Sequence, residues 1–219
     1  MIRALLLLLQ LGAAWAQAPQ IQEHALAWDS ERQALTVEYL ARHRTTPLSG
    51  DALVDTRMTP RVVVLHWTAG ATAASAWNTF AGARLGGRPE LQGAGALNVG
   101  AHYLVDRDGT IWRLFPDDVV LRHVIGLNHL AIGVENVGGG ERWPLTAAQV
   151  QANVALVRWL ATQHPVTHLL GHHEAARMEG HPYFEEQDPK YRTHKADPGE
   201  AFMAAVRAEL SELGLAGPP

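Results

Sequence analysis

Short apolar runs rich in β-branched residues alternate along this chain with longer runs of helical period. That alternation does most to narrow the fold. The sharpest run is VVVLHW, residues 62–67, which ends on a histidine and a tryptophan. Apolar runs of this length, bounded by turn residues, read as buried strands. A second run, LAIGVENVG at 130–138, ends in glycine, and a third, VTHLLGHHE, covers 166–174. Residues 99–116, VGAHYLVDRDGTIWRLFP, read as a hairpin, with Asp108-Gly109 as the turn pair. Between these lie the helical patterns. Asp29 or Ser30 caps a helix to about Arg44, and residues 73–82 suit a short helix. Thr146 caps a helix over 146–163, carried by Val150, Val154, Leu156, Val157 and Leu160. A last helix runs from near Pro198 to near Leu213. Strands alternating with helices predict a single α/β domain with a central mixed sheet flanked by helices.

The remainder divides simply. Residues 1–16, MIRALLLLLQLGAAWA, have the basic start, apolar run and small residues of a cleavable leader, and the run is too short to span a bilayer. Cleavage is expected after Ala16, with Ala18 as the alternative. Loss of Arg3 moves the formal charge from -4 to about -5. Residues 17–60 form an N-terminal extension with one helix packed on the domain: an extended lead-in over 19–29, the helix, and a turn-rich connector over 45–60. Residues 61–219 form the main domain, with a glycine-rich loop over 84–98. The mild acidity makes no case for nucleic acid or an anionic membrane as partner. No cysteine follows the leader, so no lipid anchor is expected, and the location is periplasmic or secreted. With no cysteine in the chain, a zinc site must draw on His, Asp or Glu, and the chain has 12 histidines.

His66, Glu135 and His172 fall at the ends of apolar strands, and Asp197 precedes the last helix. In open α/β sheets sites gather at strand ends, so these groups can converge. A zinc hydrolase needs three protein ligands, a base for water and a donor for a developing oxyanion. His66, His172 and Asp197 suit the first need, Glu135 the second and Lys195 the third. Each residue also has a structural reading. His66 suits a hydrogen-bonded core histidine, and Asp197 a helix cap. Glu135 suits an ion pair with Arg122 or Lys195, and Lys195 alone suits a solvated surface. His172 and His173 point to opposite faces of a strand, so only one can meet His66.

Five blocks taken together carry a resemblance: VVVLHWTAG, AHYLVDRDGTIWRL, RHVIGLNHLAIGVENVGG, LLGHHE and KADPG. In this order, between residues 61 and 202, they resemble the type-2 N-acetylmuramoyl-L-alanine amidases. That zinc-dependent family also includes T7-type lysozymes and the peptidoglycan recognition proteins. The resemblance implies one zinc ion on His66, His172 and Asp197. It implies Glu135 as the catalytic glutamate and Lys195 as the lysine that steadies the tetrahedral intermediate. His123, His102 and Trp67 are expected to face a peptidoglycan or muropeptide substrate. The implied reaction is hydrolysis of the amide between N-acetylmuramic acid and the L-alanine of the stem peptide, with a non-catalytic wall-binding module as the alternative. A different zinc peptidase is disfavoured, since no H-E-x-x-H helix occurs. One departure is a long stretch, 174–193, between the second histidine and the Lys-x-Asp block. It reads as a lid, a binding loop or an oligomer contact, and it leaves His173, His181 and His194 as competing ligands.

Overall fold

A computed structural model describes residues 18–219, so the expected leader lies outside the described residues. The lead-in supplies a strand, β1 (Ile21–Glu23). Helix α1 (Ser30–His43) follows, capped by Asp29, whose carboxylate accepts from the Arg32 amide at 2.9 Å. The connector holds one helical turn, α2 (Ala52–Asp55), ahead of β2 (Val62–Trp67). Thr72 caps α3 (Ala73–Ala81), and the glycine-rich loop holds a single turn, α4 (Pro89–Gln92). The hairpin is β3 (Tyr103–Val105) and β4 (Ile111–Arg113), closed by Gly109 at φ +89°. Then come β5 (Ala131–Asn136), α5 (Ala147–Gln163), β6 (His168–Gly171) and α6 (Glu200–Glu209). Thr146 and Gln149 form the capping box of α5, which satisfies two amides the first turn would otherwise leave bare.

One mixed sheet of six strands results, in the order β1-β4-β3-β5-β2-β6. Only β3 and β4 are antiparallel; the other neighbours are parallel. The period of two along β2 sorts its side chains into two cores. Val63 and Leu65 pack with Leu35 and Tyr39 of α1, Leu156 and Leu160 of α5, and Val206 of α6. Val62 and Val64 pack with Val124, Leu127, Leu170 and Met178 on the opposite face. Each such buried aliphatic side chain contributes about 1.5–3 kcal/mol. Because α1 fills the same core as α5, the N-terminal extension is built into the sheet domain.

The 174–193 stretch takes the place of a covering helix on that second face. A 3-10 segment, His172–Met178, buries Ala175 and Met178. The Phe184 ring lies on Gly126, where a Cβ would come within 2.3 Å of it. Glu185 pairs with Arg44 at 2.8 Å, and Glu186 meets His43 Nδ1 at 3.0 Å. No helix among the described residues is long and apolar enough to cross a membrane.

Candidate metal centre and active-site cleft

His66 is the fifth residue of β2 and leaves the sheet on the Val62–Val64 face. The parallel register sets it beside Glu135 of β5. β6 pairs on the other side of β2 and delivers His172 just past its end. Asp197 comes from the segment ahead of α6. His66 Nδ1 and His172 Nδ1 lie 2.9 Å apart. Asp197 Oδ2 is 3.0 Å from His172 Nδ1 and 3.2 Å from His66 Nδ1. These three atoms form a small, nearly equilateral triangle. Donors around an ion with ligand bonds of about 2.0–2.1 Å are spaced about 3.3 Å apart in a tetrahedron. Two imidazoles and one carboxylate crowded to this spacing suit a divalent cation, and they leave a fourth position open.

The electrostatics fit the same reading. Burial, with His66 beside it, lowers the His172 imidazole to about 4, so it is neutral, as a ligand must be. For Asp197, burial works to raise the pKa. The hydrogen bond from His172 and the neighbouring His66 imidazole outweigh it and hold the carboxyl well below the usual carboxylate range. His172 rather than His173 joins the cluster. His173 turns to the other side and holds the Asp197 carbonyl through its amide at 2.8 Å and its Nδ1 at 3.0 Å. The Asp197 carboxylate is not a helix cap, because α6 begins beyond it with Gly199 at the cap position. Among the described residues His181 and His194 stand outside the cluster.

Glu135 makes no ion pair with Arg122 or Lys195, and its Oε2 is buried without a hydrogen-bond partner. Burial raises its pKa to about 7. His66 opposes the rise, Asp197 adds to it, and Lys195 and Arg88 oppose it. A carboxyl poised near neutrality can both take and return a proton. Glu135, the three cluster residues and Lys195 all line a cleft of about 320 Å³.

Of the three residues expected to face substrate, Trp67 and His123 line this cleft. The Trp67 ring packs on Gly139, where a Cβ would come within 2.3 Å. His123 also stands behind His66, its Nδ1 3.1 Å from His66 Nε2. His102 does not reach the cleft. It is 0% exposed, its Nε2 donates to the Val119 carbonyl at 2.9 Å, and its Nδ1 accepts from the Gly133 amide at 3.0 Å. With both nitrogens committed to backbone it is a core residue, a correction to its expected substrate contact. Sequence reasoning missed Arg122, Asn128 and Tyr191 as cleft-lining residues. Arg122 gives its guanidinium to the carbonyls of Leu91, Gly95 and Leu97, and so ties the glycine-rich loop to the cleft. No local pattern marks such a residue.

The family model described as N-acetylmuramoyl-L-alanine amidase matches residues 56–200, well over half of the chain. The chain belongs to this type-2 amidase family. The endolysin of Klebsiella phage KP32 is 37% identical over 87 residues, which are 37% of this chain and 58% of that one. The endolysin of Escherichia phage T7 is 36% identical over the same shares. The match thus spans little more than half the length of these curated relatives. Among solved structures, the endolysin N-acetylmuramoyl-L-alanine amidase LysCS from Clostridium intestinale URNW superposes with a TM-score of 0.55. It is 21% identical and covers 90% of this chain and 98% of its own. Human PGRP-IBETAC, solved in complex with glycosamyl muramyl pentapeptide, gives a TM-score of 0.50. It is 18% identical over 86% of this chain and 95% of its own. At these identities the structures speak for the fold. The matched span 56–200 contains His66, Glu135, His172, Lys195 and Asp197, which all line the cleft.

Proposed function

We propose that this amidase-family chain is a zinc-dependent hydrolase of peptidoglycan. Its substrate bond is the amide between the lactyl group of N-acetylmuramic acid and the L-alanine of the stem peptide. The observation that carries the reading is the unpartnered Glu135 Oε2 beside the His66–His172–Asp197 triangle in one cleft. His66, His172 and Asp197 would hold the ion. When bound, zinc supplies Lewis-acid polarisation of the scissile carbonyl and makes water more acidic.

The chain's own groups do the rest. Glu135 accepts a proton from the attacking water and delivers one to the leaving nitrogen of L-alanine. The Lys195 ammonium faces the oxygen on which negative charge develops. Trp67 and His123 contact the substrate from the cleft wall. A muropeptide ligand accords with the complex formed by human PGRP-IBETAC. The site of action is the periplasm or the cell exterior, in keeping with the leader expected over 1–16.

The test is digestion of purified peptidoglycan with and without chelator and zinc add-back, read by mass. Stem peptides with a free L-alanine amine, lost on chelation and restored by zinc, are expected. Wall binding with no release under any metal condition would establish a binding module instead.

A further inference from the structure

His66 offers its Nδ1 to the cluster, and something must hold the proton on its other nitrogen. That nitrogen, Nε2, lies 3.1 Å from His123 Nδ1. His123 Nε2 lies 3.0 Å from the carbonyl oxygen of Ala131. A carbonyl only accepts, so the His123 proton sits on Nε2. His123 Nδ1 is then a bare acceptor, and His66 must donate to it from Nε2. A second proton on His123 would place a full charge behind the cleft wall, and no carboxylate bonds to it there among the described residues. His66 Nδ1 is therefore left with its lone pair directed at His172 and Asp197.

His123 is itself held in place. Asn128 is 4% exposed, and its Oδ1 accepts from the amides of His123 at 2.9 Å and Val124 at 2.8 Å. Asn128 Nδ2 donates to the Tyr39 hydroxyl of α1 at 3.0 Å. The His123 ring lies over Gly133 of β5, where a Cβ would come within 2.8 Å of its Nδ1. The glycine in the AIGVE strand thus has a cause: it makes room for this ring.

The geometry points to His123 as a positioning residue that sets the tautomer and orientation of His66, with Gly133 and Asn128 as its mounts. This goes beyond a contact with substrate, and it rests on the reading of His66 as a metal ligand. Partners behind a ligating histidine hold its proton and its ring plane, and their loss costs about 10- to 100-fold in metal affinity.

Three measurements test it. Nitrogen-15 spectra of the metal-free protein are expected to show His66 as the Nε2–H tautomer in the wild type, and to lose that preference in His123→Phe. Zinc affinity, by competition with a chromogenic chelator, is expected to fall about 10- to 100-fold in His123→Phe. Gly133→Ala alone is expected to weaken zinc similarly, but to do little more in a His123→Ala background, where the ring it displaces is gone. That non-additivity separates positioning from general damage, and it holds up the test if His123→Phe folds poorly. Zinc affinity in His123→Phe within threefold of wild type, or additive effects of Gly133→Ala and His123→Ala, would overturn the inference. A wild type that binds no zinc removes the metal centre itself, while the imidazole spectra still decide whether His123 sets the tautomer.

Discussion

His66 and Glu135 are register partners across the parallel pair β2–β5, and both leave the same face of the sheet. The pairing sets the proposed base one strand away from the proposed ligand without any loop having to find its place. A parallel pair holds this spacing through backbone hydrogen bonds on both sides, so the geometry is as stiff as the sheet. The residues around it set the chemistry, and each prediction below takes one of them.

Glu135→Gln keeps the shape of the side chain and removes the carboxylate proposed as the base. Turnover is expected to fall about 10²- to 10⁴-fold, with zinc content unchanged by elemental analysis. In the metal-free protein the Glu135 carboxyl sits at about 7, and a cation in the cleft draws it lower. Activity of the zinc-loaded enzyme should therefore rise with pH along an acid limb at or below about 7. An acid limb unchanged in the Gln variant would remove Glu135 from the mechanism.

His172 and His173 are adjacent in sequence but hold different parts of Asp197. His172→Ala is expected to abolish tight zinc binding, whereas His173→Ala should weaken it far less. At free zinc about 1,000-fold above Kd, the folded state gains about 4 kcal/mol, or about 8–16 °C in Tm for a domain of this size. Calorimetry with and without chelator should show that shift in the wild type and lose it in His172→Ala.

Asp117 is buried and accepts from the Tyr103 hydroxyl at 2.5 Å, from Arg113 at 2.9 Å and from His164 Nε2 at 2.9 Å. Burial alone would raise its pKa. The bonds from Tyr103 and His164, with Arg113 nearby, leave it lowered. A lowered carboxylate stabilises the fold above its unfolded pKa of about 3.9, and the contribution is lost as pH falls through the folded value. Asp117→Asn should cost about 1–3 kcal/mol at pH 7. Denaturant titrations should show that gap closing as pH falls below about 4.

Gly126 sits at φ +79° with the Phe184 ring against it. An alanine there meets both a disfavoured backbone and a blocked side-chain position, at a cost above about 1 kcal/mol. Gly126→Ala should unseat the 179–190 segment and open it to limited proteolysis well before the sheet unfolds. Equal protease resistance in the two proteins would argue against the segment as a fixed cover.

Residues close in sequence specified what depends on neighbours a few positions away. Asp29 and Thr146 cap their helices, Asp108-Gly109 turns the hairpin, and the β-branched run 62–65 forms a strand, because caps, turns and periodicity act within a few residues. The residue types of the cluster, His66, His172, Asp197, Glu135 and Lys195, were legible for the same reason, as strand ends and a helix start. Tertiary structure alone decided the rest. Ile21–Glu23 has little strand signal of its own and becomes β1 because β4 offers an open edge. The 174–193 stretch has no period, and it is ordered by Gly126, Arg44 and His43 from distant parts of the chain. The histidines were sorted the same way. His123 went to the cleft wall and to the back of His66, His102 to the core and His173 to a backbone carbonyl. A ring's direction and the proton it carries depend on acceptors that only folding brings within 3 Å or so, and no local pattern in the sequence encodes them.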